Sequence, residues 1–306
     1  MPSTAEIVNN AYRAGIVVPA FNVPYLPMMK PVIRAAVDLD SFALIEVARI
    51  EWLKFECQGP ASVMEEFSRW DGTDHVRLHL DHIPVIDEDG LKVDYLPIIR
   101  EAIALGYHSV MVDGSLLDLE GNIEATREAA ALAHEAGIPC EAELGAIMRE
   151  GTARTMLYEE LFESGAGFTD PKDASRFVRE TGCDWLSVAV GNIHGAVSGV
   201  LKDKKKTEAR LNLEHLDRLR EATQTPLVLH GGSGVKRQDL IAAVKRGIAK
   251  VNVGFEIRQA YEHSLQESGG DVSAAQDTVY QRTFWLIRDH FGVAGSHRLL
   301  AGREDR

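Results

Sequence analysis

Short runs of apolar and often β-branched residues recur along the chain, at 16–21, 42–47, 76–80, 109–112, 138–143, 185–190, 226–229 and 249–253. Between them lie longer stretches in which apolar positions return every three or four residues, as at 28–39, 122–136, 171–181 and 238–246. The first pattern predicts buried strands and the second amphipathic helices. Thr169-Asp170-Pro171 marks one helix start, with Asp170 able to accept unpaired backbone N–H groups and Pro171 at the first helical position. Strands alternating with helices require parallel pairing through right-handed crossovers. That leaves a doubly wound sheet or a (β/α)8 TIM barrel, and eight strands favour the barrel.

No linker or low-complexity segment divides the chain, so the pattern predicts one α/β domain over residues 1–306. Two stretches read as long loops or insertions, at 145–167 and 198–211, and the latter carries Lys202-Asp203-Lys204-Lys205-Lys206. Residues 298–306 read as a mobile tail.

Composition narrows the class. At 45% hydrophobic and 26% charged, the 306 residues can build a large core and a soluble surface. A net charge of -13 argues against nucleic acid or an anionic membrane as a partner. Cys57, Cys140 and Cys183 are odd in number and lack metal-site spacing, which suits a reducing cytosol. There is no apolar run of 18 residues, and the N-terminus lacks a basic-then-apolar signal pattern. A cytoplasmic protein is expected.

In a barrel the active site is built at the C-terminal ends of the strands. Those ends read Asn22, Glu46, Asp81-His82, Asp113, Glu143, Asn192 with His194, His230, and Asn252. Core packing alone does not predict such a polar ring. His82, His194 and His230, at the ends of strands three, six and seven, can converge above the barrel, and three imidazoles with an open fourth position suit a catalytic zinc. His230 is followed by Gly231-Gly232-Ser233-Gly234, a turn whose N–H groups could face an anion at the next helix start.

These residues carry a resemblance to the class II, metal-dependent ketose-bisphosphate aldolases, the fructose- and tagatose-bisphosphate aldolase family. It runs through Ala20-Phe21-Asn22-Val23, His79-Leu80-Asp81-His82, Ser109 to Ser115, Glu141-Ala142-Glu143-Leu144-Gly145, Thr181-Gly182-Cys183-Asp184, Gly191-Asn192-Ile193-His194-Gly195, His230 to Gly234, and Lys250-Val251-Asn252-Val253. The resemblance implies a TIM barrel, a homodimer or homotetramer, and a divalent ion on His82, His194 and His230, with Glu143 and Asp113 as further candidate ligands. Zn²⁺ is the expected ion, with Mn²⁺, Co²⁺ or Fe²⁺ as alternatives and a monovalent cation as a further candidate cofactor. Asp81 is the expected proton carrier at the C4 hydroxyl, and Glu150 at C3. Asn22, Arg49, Gly195, Gly231, Gly232, Ser233 and Asn252 are the expected substrate-binding residues. In this scheme the ion stabilises the enediolate left by C3–C4 cleavage as a Lewis acid, and no lysine Schiff base is needed.

Several positions depart from the family pattern. Met148-Arg149 replaces paired glycines, and Ala48-Arg49 stands where a phosphate-binding serine is usual. Ser198 takes the place of a lysine, and Phe255 that of a threonine. The expectation is therefore an aldolase for a ketose or ketose phosphate, with a non-phosphorylated or otherwise substituted ketone as the alternative donor. A third reading is a barrel that binds metal and sugar without turnover.

Overall fold

The computed structural model describes residues 2–70, 74–145, 148–149, 158–194 and 209–302, the side chains of 148, 149, 158, 159, 161, 193 and 194 excepted. Eight parallel strands close into a barrel: β1 Val18–Asn22, β2 Ala43–Ala48, β3 Val76–Pro84, β4 Ser109–Asp113, β5 Cys140–Leu144, β6 Trp185–Val188, β7 Leu227–Leu229 and β8 Ile248–Val253. Each pairs with the next in the chain, and β8 closes against β1 with Ala20 opposite Asn252. Helices follow the strands, so the fold is a (β/α)8 TIM barrel. The strands are buried along nearly their whole length, as parallel strands covered by helices must be.

The local signals account for the helix boundaries. Asp170 accepts the Lys172 and Asp173 N–H groups at 2.8 and 3.1 Å and starts helix Pro171–Thr181, which Gly182 ends at φ 69°. Ser3 and Glu6 form a reciprocal capping box on helix Thr4–Ala14. That helix lies across the N-terminal end of the barrel. Its Ile7, Val8 and Ala11 join Val18, Ala20, Phe42, Leu44, Trp185, Val228, Ala249 and Leu300 in one apolar cluster. The N-terminal half of the barrel is thereby plugged with hydrocarbon, and a larger cluster fills the space between strands and helices.

Three stretches differ from the sequence reading. The run at 76–80 continues as strand to Pro84, four residues further, because β3 takes up an irregularity near its end. Within 145–167, Met148–Arg149 is a short strand and Tyr158–Ser164 a helix. The segment read as a tail from residue 298 is helical over His297–Leu300, with Leu300 fully buried and its carbonyl accepting the Asn10 amide at 2.9 Å. Of the 198–211 insertion only 209–211 lie within the described residues, and Ala209 bridges to Val235.

Candidate active site

Above the apolar plug the barrel interior turns polar. Alternation along each strand places Glu46 on β2, His79 and Asp81 on β3, Glu141 and Glu143 on β5, and Lys250 and Asn252 on β8 in this layer, all of them buried. A buried charge is tolerable only when paired, and here the pairing is dense. Lys250 Nζ lies 2.6 Å from Glu46 Oε1 and 2.8 Å from Glu141 Oε2, and donates to Asn252 Oδ1 at 2.8 Å. Glu141 Oε1 in turn meets His230 Nε2 at 2.8 Å. Burial opposes ionisation of Glu141, but the Lys250 charge and the His230 hydrogen bond outweigh it and hold its carboxyl far below the usual range. Burial pushes Glu46 well above that range, which the Lys250 charge opposes without reversing. Within this group Lys250 and Glu141 are therefore the mutually stabilised charge pair, with Glu46 the carboxyl that burial pushes toward its neutral form.

His82 reaches the barrel mouth through a break in the strand pattern. Strict alternation would send Asp81 and His82 to opposite faces. Between Leu80 and Ile83 the pairing with β4 slips: three steps along β3 match two along β4, from Val110 to Val112. His82 sits at φ 27°, a left-handed conformation uncommon for a non-glycine residue. Such a bulge re-aims a side chain next to a functional site. As a result His82 Nδ1 lies 3.1 Å from Asp113 Oδ2 and 3.9 Å from Glu143 Oε2, and its ring meets that of His230 at 4.5 Å between centroids.

His230 is held from two sides, with Glu141 at Nε2 and Glu143 Oε2 at 3.2 Å from Nδ1. Burial lowers its pKa, but the bonds to Glu141 and Glu143 outweigh that and carry it up to about 10. Burial likewise opposes charging of His82, and the Asp81 carboxylate foremost leaves its pKa raised. Asp113 is itself fixed, since its Oδ1 accepts the Ser115 hydroxyl at 2.6 Å and the Ser115 N–H at 3.0 Å. Ligand-capable atoms of Asp81, His82 and His230 all lie within 4.8 Å of one another, as do those of His82, Asp113 and Glu143. Two ligand-capable groups that share His82 thus lie side by side at the mouth.

Asp81 is gripped rather than free to swing. Asn22 donates to its Oδ2 at 2.9 Å and Asn252 to its Oδ1 at 3.2 Å. Burial works against its charge, yet the neighbouring His82 and Lys250 prevail and bring its pKa down to about 2. The sequence suggested Asn22 and Asn252 as substrate contacts; the structure brings both to Asp81.

The remaining expected residues divide. His194 belongs to a two-residue strand, Ile193–His194, whose backbone pairs with Met148–Arg149. Just before it, Asn192 donates to the His230 carbonyl at 3.1 Å, which sets this segment beside His230. Glu150, Gly195 and Ser198 lie outside the described residues. Arg49 starts helix Arg49–Lys54 directly after β2, and its Nη1 pairs with Asp87 at 3.4 Å. In the glycine turn one donor is already taken. Gly232 N–H is committed to the Asn252 carbonyl at 3.0 Å, and the next helix begins only at Arg237. Gly232 is required for close approach, since a Cβ there would come within 2.3 Å of Val251.

Three participants escaped the sequence reading. Glu141 was detectable, because it stands two residues before Glu143 and must share its face of β5. Lys250 is a lone cation inside an apolar run, a signal of a buried ion pair. Glu51 gave no signal beyond an ordinary helix start. It accepts the Ala48 N–H at 2.8 Å, and burial, against that hydrogen bond and with the nearby Asp81 charge, pushes its pKa up to about 8.

The barrel's charged interior and imidazole pair gather at the C-terminal ends of the strands, the place where barrel enzymes carry their active sites. The chain matches the family described as class-II fructose-bisphosphate aldolase over residues 2–291, and it belongs to that family. It is 42% identical to the uncharacterized protein YdjI of Escherichia coli K12 over 173 residues, 56% of this chain and 57% of that relative. The aligned stretch therefore spans little more than half of the relative's length. Over whole structures, the chain superposes on the YdjI aldolase of E. coli K12 with a TM-score of 0.76 and 29% identity, covering 97% of this chain and 100% of that one. A proposed fructose-1,6-bisphosphate aldolase of Coccidioides immitis gives 0.73 and 26%, with 96% and 97% covered. The fructose-bisphosphate aldolase of Campylobacter jejuni gives 0.70 at 19% identity and 96% coverage of both chains, a likeness of fold alone.

Proposed function

We propose that the protein is a metal-dependent aldolase that cleaves or forms the C3–C4 bond of a ketose or related hydroxy-ketone, with a donor end other than that of fructose 1,6-bisphosphate. The single observation that carries the reading is the Asp81 carboxylate, locked by Asn22 and Asn252 beside the paired imidazoles of His82 and His230. Held rigidly beside the candidate ligands, this carboxylate can take up the proton that C–C cleavage releases.

The donor set fits a divalent ion of the zinc type, because imidazole nitrogens and carboxylate oxygens within 4.8 Å of one another match its ligand preferences. His82, His230 and His194 would hold it, with Glu143 or Asp113 able to add a carboxylate. Bound there, the ion supplies Lewis acidity for the negative charge that cleavage leaves next to the ketone carbonyl. Glu141 orients His230 through Nε2 and leaves Nδ1 toward the mouth. Asp81 accepts the C4 hydroxyl proton as the C3–C4 bond breaks; C4 becomes the aldehyde carbon and the bonding pair stays on C3. In condensation the same proton returns. Glu150 is assigned the proton at C3.

The donor assignment rests on the phosphate end. Ala48, Ser198 and Phe255 offer no cation, and Arg49, the nearest replacement, is already paired with Asp87. Each lost charged or hydroxyl hydrogen bond is worth about 1–3 kcal/mol, so three together amount to several orders of magnitude in kcat/KM. The working form is assigned as a cytoplasmic homo-oligomer; no helix among the described residues is long and apolar enough to cross a membrane. The test is a side-by-side measurement of kcat/KM on fructose 1,6-bisphosphate, ketose monophosphates and unphosphorylated ketoses. A value above roughly 10⁴ M⁻¹s⁻¹ on the bisphosphate, within the ordinary enzyme range, rejects the donor assignment. Absence of aldol cleavage on every ketone by the metal-loaded protein rejects the reaction.

A further inference from the structure

At the opposite end of the barrel, remote from the strand C-termini, three loops bring together Asp40, Asp74, His75 and His297. Asp40 occupies a left-handed turn at φ 46° shortly before β2, Asp74 and His75 immediately precede β3, and His297 opens the last helix. The backbone of this corner is tied independently of the side chains. His297 N–H donates to the Asp40 carbonyl at 3.0 Å, Gly295 N–H to the Leu39 carbonyl at 2.8 Å, and Ala43 N–H to the His75 carbonyl at 3.0 Å.

The two imidazoles stack at 4.1 Å between centroids and 25° between planes, so each presents one nitrogen to each side of the stack. On one side is Asp40, whose Oδ1 lies 3.0 Å from His75 Nε2 and 3.7 Å from His297 Nδ1. On the other is Asp74, whose Oδ1 lies 3.0 Å from His297 Nε2 and 3.7 Å from His75 Nδ1. The Asp74 carboxylate, 3.0 Å from His297 Nε2, favours an N–H there and leaves the His297 lone pair on Nδ1 toward Asp40, while His75 shares a hydrogen bond with Asp40 through Nε2 at 3.0 Å, which an ion between them would replace. A carboxylate behind each imidazole is the usual support for a metal-binding histidine. Asp74 is itself anchored, since Arg77 donates to its carbonyl at 3.0 Å, and the Phe42 ring backs His297 at 4.6 Å. Access is from solvent: the Asp40 side chain is 57% exposed, against 6% for His297.

We propose that Asp40, His75 and His297 form a second divalent-cation site, selective for a zinc-like ion, with Asp74 setting the His297 tautomer. Ligand-capable atoms of the three residues lie within 4.8 Å of one another, close enough for one ion after the stacked rings turn to aim both lone pairs at it. Two nitrogens and one carboxylate oxygen favour Zn²⁺ or Co²⁺ over Mg²⁺ or Ca²⁺, which prefer all-oxygen shells. The fourth position opens to water on the exposed side. The competing account of the same geometry is an imidazolium of His297 clamped between two aspartates with no ion.

The full-length protein, stripped with chelator and dialysed, is titrated with Zn²⁺ at neutral pH, and bound metal is counted. Asp40→Asn, an exposed change that leaves the fold alone, is compared with wild type, and the pair is repeated in a His230→Ala background. Asp40→Asn is expected to bind one equivalent fewer than wild type in both backgrounds. Zn²⁺ should also raise the Tm of His230→Ala but not that of His230→Ala with Asp40→Asn. Co²⁺ should give visible absorption in His230→Ala that Asp40→Asn removes. Equal stoichiometry with and without Asp40→Asn overturns the site and leaves the imidazolium clamp. The comparison in the His230→Ala background does not depend on whether the barrel mouth binds metal.

Discussion

Replacing Lys250 by Met tests the charged layer on which the candidate site stands. The ammonium is fully buried and lies within 2.8 Å of carboxylate oxygens from Glu46 and Glu141. Met has nearly the same length and volume, so the packing cost is small and the change isolates the charge. It leaves Glu141 ionised in the barrel interior without its principal counter-ion. Breaking a buried pair from one side costs about 3–5 kcal/mol, because the surviving charge has no solvent to turn to. At about 2–4 °C per kcal/mol for a chain somewhat smaller than this, Tm should fall by roughly 6–20 °C. Urea unfolding followed by circular dichroism measures the difference at fixed temperature. The double variant Lys250→Met with Glu141→Gln removes both charges while keeping an oxygen for His230 Nε2. It should recover at least half of the loss, since a buried pair replaced as a unit is often nearly neutral. A Lys250→Met protein within 1 kcal/mol of wild type, or a double variant no more stable than the single one, would refute the reasoning.

Other outcomes follow from the same geometry. Asp81→Asn should keep the metal and lose cleavage by about 10²–10⁴, the usual worth of a placed proton carrier; loss of metal together with activity would move Asp81 into the ligand set. Zn²⁺ binding to the stripped protein should release protons, because His230, with its pKa near 10 in the metal-free fold, must give one up to ligate. Calorimetry in buffers of different ionisation enthalpy reads this as a slope, and a flat line contradicts it. Glu51, raised to about 8, binds its proton more tightly in the folded than in the unfolded chain. Its stabilising contribution is complete below the ordinary carboxyl range and is lost as pH rises through 8. Glu51→Gln should flatten the stability profile between pH 5 and 9, and parallel profiles for variant and wild type would dismiss the shift.

Strand positions were legible because parallel strands under helices must be apolar along their length. The run read at 109–112 is β4 Ser109–Asp113, and 249–253 is β8 Ile248–Val253. Asp81, His82 and His230 were visible as polar residues ending apolar runs, and the structure brings them together. Three-dimensional pairing was not legible. Nothing local tells that Asn22 and Asn252, 230 residues apart, share the two oxygens of one carboxylate. Nor does Arg49 announce that Asp87 sits across from it, since the partner lies in a different loop. The glycine turn shows a related limit: a backbone N–H that looks available in one segment can be spent on a neighbouring strand, as at Gly232.

The extra residue at the end of β3 separates what the barrel wants from what the reaction wants. A non-glycine residue at φ 27° carries a local cost of about 1–3 kcal/mol. Without that residue the ladder with β4 would run uninterrupted and the strain would vanish. The tip of the strand would then keep the Asp81 carboxylate inward and lose the imidazole of His82 from the mouth altogether. Selection for stability alone would therefore erase the insertion, and a version of this chain drifting free of its chemistry should be recognisable by a one-residue gap between Leu80 and Ile83. The bulge is a length difference rather than a substitution, so no exchange of side chains can compensate for its loss.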